Sequence, residues 1–216
     1  MSSDTGSPGI DVVIFDFGGV LGAGVSAMMS GASARVEVSG VNFLELMIGP
    51  RDADTDHPFH RLERGEISFD ECNAAIAELA LGAGLETAPA LPAPEVMLAG
   101  LTPATEMIAA VGAIREAGFG TAILTNNLDG LPWRRAYDAD SLVDVIVESW
   151  QVGMRKPAAE IFELTLDRLG GVAAGRALFL DDFPWNIAGA EAVGLQTLHV
   201  TDPAVDAATL LARLEL

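Results

Sequence analysis

The sequence is short of positive charge. Twelve basic residues face 31 acidic ones, a formal net charge of −19 over 216 residues. Nucleic acids and anionic membrane surfaces are held by clustered Lys and Arg, so neither is expected as a partner. The same imbalance sits awkwardly with an anionic small substrate. Eleven of the twelve bases are Arg, and the single Lys is Lys156. Cysteine is nearly absent as well. Cys72 stands alone, which excludes a disulfide within the chain and fits a reducing compartment. It reads as a small buried hydrophobe. Met1–Pro8 lacks the basic-then-apolar pattern of a secretory leader, so a cytoplasmic location is expected. Long apolar runs are missing too. Phe17–Ala34 is eighteen residues without a charge, but it holds five Gly and three Ser and reads as a loop and a packed helix rather than a membrane span. There is no internal repeat and no long run of like charge.

What is present points to a folded chain. Half of the residues are hydrophobic and 20% are charged, which argues against wholesale disorder. A chain of this length hides roughly 70% of its unfolded surface and suits one domain with an insertion. Ile10–Phe15 is apolar apart from Asp11, rich in Val and Ile, and stops at Gly18-Gly19. That is the pattern of a buried strand running into a tight loop. Phe119–Leu124, Ala177–Leu180 and Leu195–Val200 are three more short apolar strands. Helical patterns lie between them. One opens at Thr102-Pro103, places Met107, Val111 and Ile114 on one face, and closes at Gly118. Another opens at Pro157 and carries Phe162, Leu166 and Leu169; the last opens at Asp202-Pro203 and carries Leu210, Leu211 and Leu214. Strands alternating with helices predict an α/β fold, a Rossmann-like parallel sheet covered by helices on both faces. Residues 22–100 break the rhythm, with helical patterns at Val41–Ile48 and Ile67–Leu81, a Pro/Ala-rich stretch at Thr87–Pro94, and no strand. They predict a small helical cap inserted after the first strand, leaving residues 9–21 and 101–216 as the core domain.

Ligands of open α/β sheets bind outside the carboxyl ends of the strands, so the residues at those ends matter most. The first strand ends in Asp16, the second in Thr125-Asn126-Asn127 and the third in Asp181-Asp182, and Lys156 stands just before Pro157. Each has a plain alternative as a turn residue, a helix cap or a solvated charge. Their arrival from four places at one edge is harder to explain that way. Together they make chemical sense. Asp16 and Asp182 are hard oxygen donors suited to Mg²⁺, a carboxylate can attack phosphorus, and the transferring group needs positive charge and donors around its oxygens. Lys156, the Thr125 hydroxyl and backbone N–H groups near Gly18, Gly19 and Asn126 are the candidates for that task, a Gly-rich turn letting the backbone approach an anion.

The ordered segments VIFDFGGVL (Val13–Leu21), AILTNN (Ala122–Asn127), VESWQVGMRKPAAEIF (Val147–Phe162) and LFLDDFPWNIAGAEAVGLQTLHV (Leu178–Val200) resemble the four motifs of the haloacid dehalogenase superfamily. The likeness runs from about Asp11 to Leu214 and is greatest to the branch with a helical cap after the first strand. That branch includes the amino-terminal phosphatase domain of soluble epoxide hydrolase and bacterial α-glucose-1-phosphate phosphatases; in the latter the run FHRLERGEISF (Phe59–Phe69) has a counterpart. The resemblance implies a Mg²⁺-dependent phosphatase acting on a small phosphorylated metabolite, as a monomer or homodimer. Asp16 matches the nucleophile and a metal ligand, Thr125 and Lys156 match the groups that bind and neutralise the phosphoryl oxygens, and Asn126 matches a substrate contact. Asp182 matches the metal-binding carboxylate with Asp181 beside it.

One position departs from the family pattern. The second Asp that usually serves as general acid and base is replaced by Gly18, whose backbone carbonyl still suits a metal. General acid–base help is worth roughly 10²–10⁴-fold, so its loss predicts a preference for leaving groups that depart easily, such as those of sugar-1-phosphates or acyl phosphates. Two other readings use the same residues: a metal-independent 2-haloacid dehalogenase with Asp16 attacking carbon, and a non-catalytic phospho-ligand-binding domain. In the cap, His57, His60, Arg61 and Arg64 are either a substrate-facing rim or an ordinary charged helix face. Trp133, Arg134 and Arg135 form a second such rim, and His199 reads as structural.

Overall fold

A computed structural model describes residues 9–23, 37–38, 41–86 and 89–216. Its centre grows from strict alternation along the short strands. In β1 (Val12–Phe15), Val13 and Phe15 enter one core while Val12 and Ile14 enter another. Two two-residue strands, β2 (Gly22–Ala23) and β5 (Thr102–Pro103), pair antiparallel, so the chain leaves and re-enters this region side by side. Between them, among the described residues, lie the small antiparallel pair β3 (Glu37–Val38) and β4 (Val41–Asn42) and, in chain order, the helices Phe43–Ile48, Pro58–Glu63, Phe69–Gly82 and Pro94–Ala99. Ser68 and Glu71 cap the third of these reciprocally, satisfying backbone donors that have no partner inside the helix. The helices bury Met47, Leu62, Cys72, Ile76 and Leu91 in a core of their own, which also takes Leu128 from the other side. Burial pushes the Cys72 thiol up to about 11, as suits a packing residue.

The remaining strands are β6 (Gly120–Thr125), β7 (Val145–Glu148), β8 (Ala177–Asp181) and β9 (Gln196–His199). With β1 they form a sheet of order β7-β6-β1-β8-β9, every pairing parallel. The helices Thr105–Glu116 and Pro203–Arg213 cover one face and Ala159–Arg168 and Pro184–Val193 the other, as their buried residues Met107, Ile114, Leu210 and Ile161, Phe162, Ala190 show. The predicted α/β class and its two helical layers are therefore present.

Local expectations need correction. The edge strand β7 was not foreseen. The helix expected from Thr102 begins at Thr105, because Thr102-Pro103 pairs with β2; the one expected from Pro157 begins at Ala159. The described part of residues 22–100 holds the two-residue strands β2, β3 and β4 where none was expected. The helix read in Phe17–Ala34 falls largely outside the described residues. No described helix is long and apolar enough to cross a membrane.

Candidate active site

The sheet order makes β1 the point where the chain switches direction, with β6 on one side and β8 on the other. Parallel strands there splay their carboxyl ends apart and leave a crevice. The register sets what faces it. Phe15 is level with Ile123 and Leu180, so the next residues, Asp16, Leu124 and Asp181, stand at one height and Thr125 one step above. The Asp16 N–H donates to Leu180 O at 2.8 Å, which holds the loop start to β8.

Lys156 enters from the segment after the helix Ser149–Val152. It is only 1% exposed, yet its ammonium is fully engaged. Nζ lies 2.8 Å from Asp16 Oδ1 and 2.7 Å from Asp181 Oδ2, and donates to Leu124 O at 3.0 Å. Three donors on one compact charge match three acceptors, a task for Lys rather than the planar fork of Arg. Its backbone is clamped by Asn126, which accepts from the Lys156 N–H at 2.9 Å and donates to its carbonyl at 3.0 Å. Gly189 lets the helix Pro184–Val193 lie against the next residue: a Cβ there would stand 2.6 Å from Pro157 O. Burial opposes the charge on Lys156, but Asp16 and Asp181 outweigh it and hold its pKa above the ordinary range.

The acidic side is equally ordered. Asp181 is fully buried and accepts from Lys156, from the Phe183 N–H at 2.8 Å and from Asn186 Nδ2 at 3.0 and 3.1 Å. Asp182 faces Gly19, where a Cβ would fall 2.2 Å from Asp182 Cγ and the backbone has φ +82°; only glycine suits both demands. One oxygen from each of Asp16, Asp181 and Asp182 lies within 4.8 Å of the others. Burial, with Asp181 and Asp182 adding to it against the pull of Lys156, raises the Asp16 pKa well above the carboxylate range. Three carboxylates facing one ammonium call for a further cation. Asn186 Oδ1, buried without a partner, is a ready acceptor for water carried by such an ion. The all-oxygen set suits Mg²⁺, which keeps several waters.

Above this cluster is a cavity of about 270 Å³. Asp16, Gly18, Thr125, Asn126 and Lys156 form its floor, and Phe17, Phe59, Leu98, Leu131 and Trp133 are among its apolar walls. A buried ion pair crosses its side. Arg155 Nε donates to Glu63 Oε2 at 2.7 Å, joining the helix Pro58–Glu63 to the segment that carries Lys156.

Of the residues expected from sequence, Asp16, Thr125, Lys156, Asp181 and Asp182 converge. Gly18 lines the cavity, but Gly19 must be corrected as an anion contact: its N–H donates to Gly22 O at 2.8 Å, and its role is to admit Asp182. The Asn126 side chain is a clamp on Lys156 rather than a free contact. The cap rim of His57, His60, Arg61 and Arg64 does not line the cavity. His60 Nδ1 accepts from the Thr55 N–H at 3.1 Å, His57 caps the Phe59 N–H, Arg61 pairs with Glu66, and Arg64 pairs with Glu66 and Asp54. Trp133 lines the cavity, whereas Arg134 pairs with Asp140 and Glu148. His199 lies 3.0 Å from the Asp182 carbonyl.

Glu148 was missed altogether. At the end of β7, 3% exposed, it accepts from Asn127, Trp133, Arg134, Trp150 and Gln151, pinning the loop after β6. A charged residue closing the apolar run Val145–Val147 was its available signal. Glu63 and Arg155 were also missed; the signal was an Arg adjacent to the single Lys.

Comparison with known proteins gives a consistent picture. The family model for haloacid dehalogenase-like hydrolases matches residues 10–194. Bifunctional epoxide hydrolase 2 of Rattus norvegicus is 36% identical over 104 residues, 45% of this chain and 19% of the relative, so the chain spans under a fifth of that protein. Sesquiterpene phosphatase astK of Aspergillus oryzae is 29% identical over 146 residues, 67% of this chain and 72% of that one. Among solved structures, an L-2-haloacid dehalogenase aligns with TM-score 0.63 at 22% identity, covering 97% of this chain and 100% of that one. A HAD family enzyme of Bacteroides thetaiotaomicron in complex with magnesium and inorganic phosphate aligns with TM-score 0.57 at 19% identity, covering 90% and 96%. At these identities the two structures speak for the fold alone.

Proposed function

The chain belongs to the haloacid dehalogenase-like hydrolases, and on that premise we propose that it is a Mg²⁺-dependent phosphatase that hydrolyses a small phosphorylated metabolite through Asp16. The observation that carries the reading is the buried ammonium of Lys156 held between Asp16 and Asp181, with Asp182 beside them. The sesquiterpene phosphatase relative supports the same class. Residues 22–100 serve in this reading as the cap over the core formed by 9–21 and 101–216.

Asp16 attacks phosphorus with a carboxylate oxygen as the bond to the leaving oxygen breaks, and the leaving oxygen keeps the electron pair. Lys156 neutralises the nucleophile and the phosphoryl oxygens, and the Thr125 hydroxyl donates to one of those oxygens. Water then attacks the same phosphorus, the bond to Asp16 breaks, and phosphate leaves with the proton balance settled by solvent. Asp16, Asp182 and the Gly18 carbonyl would hold Mg²⁺, with Asp181 anchored behind them by Lys156 and Asn186. When bound, the ion supplies positive charge to the phosphoryl oxygens. Gly18 provides no acid for the leaving group, so substrates with weakly basic leaving oxygens are favoured.

Hydrolysis of p-nitrophenyl phosphate with and without Mg²⁺, comparing the wild type with Asp16→Asn, tests this. Mg²⁺-dependent turnover lost in the variant is expected. Turnover of 2-chloropropionate in EDTA would move the reading to a dehalogenase. Silence on p-nitrophenyl phosphate and on a broad phosphometabolite panel would move it to a binding domain.

A further inference from the structure

Resting on the phosphatase reading, we propose that the substrate is an acyl or aryl phosphate with a compact apolar body, and that phosphorylated sugars are poor substrates. The wall of the cavity carries this. Phe17, Phe59, Leu98, Leu101, Leu128 and Leu131 present carbon to the space above the phosphoryl floor. They come from both sides of the crevice, so a ligand body standing on Asp16 is enclosed by apolar surface.

Most polar side chains of the described wall are already committed. Asn126 is bound to the backbone of Lys156 on both of its amide ends. Asn127 donates to Glu148 and accepts from the Leu128 N–H. The Trp133 indole N–H donates to Glu148 at 2.8 Å. Glu63 and Arg155 are bound to each other. Asn186 donates to both oxygens of Asp181, and its Oδ1, buried without a partner, offers a ligand body one acceptor and no donor. Arg51, exposed and stacked over Trp185 at 5.2 Å, is a cation at the rim. A hexose body would bring several hydroxyls against this wall and find few partners. Each unmatched hydroxyl loses its bonds to water without replacement. A ring or short branched chain loses nothing there and leaves water behind.

Leaving-group chemistry narrows the class further. With Gly18 in place of a carboxyl and Glu63 tied to Arg155, no acid on the described wall is free to protonate a basic alkoxide. The bond to phosphorus breaks with the electron pair passing to the leaving oxygen, so a carboxylate or phenolate product departs without a proton. A compact apolar acid or phenol meets both demands.

The test is a substrate series under saturating Mg²⁺, with p-nitrophenyl phosphate as the marker of the site's basic chemistry. Benzoyl phosphate should exceed acetyl phosphate in kcat/KM by at least about tenfold, the range that apolar pockets give for added carbon. Phenyl phosphate should exceed benzyl phosphate, whose leaving oxygen is more basic, and should exceed glucose 1-phosphate by about 100-fold or more. Leu98→Asn and Leu131→Asn, at two half-buried wall positions, should each narrow the benzoyl-to-acetyl ratio. Equal values for benzoyl and acetyl phosphate, or glucose 1-phosphate at the level of phenyl phosphate, would overturn the proposal while turnover of p-nitrophenyl phosphate kept the phosphatase reading intact. If p-nitrophenyl phosphate and every other ester were silent, both would fall.

Discussion

Arg155 donates to Glu63, 92 residues earlier in the chain, at 2.7 Å inside the protein. One partner adjoins the Lys156 that grips Asp16, and the other ends a helix of the segment above the sheet. The pair ties the position of that segment to the floor of the cavity. Burial raises the Glu63 pKa although Arg155 pulls the other way, so the bond exists at a cost in desolvation.

Breaking that pair from one side should be expensive. Glu63→Ala leaves a buried guanidinium without its partner and should lower unfolding stability by about 3–5 kcal/mol, with a rise in KM for p-nitrophenyl phosphate. The double variant Glu63→Leu with Arg155→Met should recover most of the stability, since an apolar pair needs no desolvation. Denaturant unfolding of the three variants checks this; a double variant no more stable than Glu63→Ala would contradict it.

Lys156→Arg should not restore function. The site accepts three bonds from a compact ammonium in a space with almost no exposure, and a planar guanidinium cannot direct its donors to the same three points. Both Lys156→Arg and Lys156→Met should lower kcat by about 10²–10³-fold, the scale for losing one electrostatic contact to the transition state. Steady-state kinetics on p-nitrophenyl phosphate would show it, and an Arg variant within tenfold of wild type would refute it.

Glu148→Gln should loosen the loop that follows β6. Replacing one carboxylate oxygen by an NH₂ group sets a donor against donors from either Trp133, Trp150 and Asn127 or Arg134 and Gln151. A stability loss of at least about 2 kcal/mol is expected from buried donors left unmatched. Two of the five donors are indoles, so a shift in tryptophan emission should accompany it. Unchanged emission together with unchanged stability would speak against this role.

Acid should destabilise the protein through His60. Burial first and Arg155 second push its pKa down to about 4, and the Thr55 N–H pointing at Nδ1 shows an unprotonated nitrogen there. Unfolding frees the imidazole to its ordinary value of about 6.5. Below that value the unfolded chain takes up a proton that the folded protein refuses. The stability contributed by neutral His60 is thus complete above pH 6.5 and is lost as pH falls toward 4, on the order of 3 kcal/mol in all. His60→Asn keeps an acceptor for Thr55 and does not titrate, so the slope of Tm between pH 6.5 and 4.5 should be flatter than in the wild type. Parallel slopes would remove His60 from the account.

The excess of acid also takes a different meaning once the site is in view. Three carboxylates meet in the crevice, and others form surface pairs such as Asp144 with Arg115 and Asp11 with Arg176. The composition therefore says little about the charge that a ligand meets. That is set by which few acids lie beside Lys156.

Much of the core was readable because its signals are local. Alternation in Val12–Phe15 and Ala177–Asp181 and the helical spacing of Met107, Val111 and Ile114 follow from backbone periods of two and 3.6 residues. The motif carboxylates and the lone Lys were visible as residues out of keeping with their surroundings. β7 escaped because four residues at a sheet edge carry too little pattern. Thr102-Pro103 misled because a good helix-start pair also fits a strand end, and only β2 decides between them.

Residue chemistry along the chain thus determined the fold class and which side chains could handle a phosphoryl group. Tertiary structure decided how they are used. The register of β1, β6 and β8 brings Asp16 and Asp181 level with Thr125 one step above, and Asn126 becomes a clamp because the Lys156 backbone happens to lie beside it. Gly19 serves the approach of Asp182, and distant Glu63 and Arg155 meet next to Lys156. Hydrogen bonds and desolvation act over a few ångströms in space, and separation along the chain carries no information about which groups will share them.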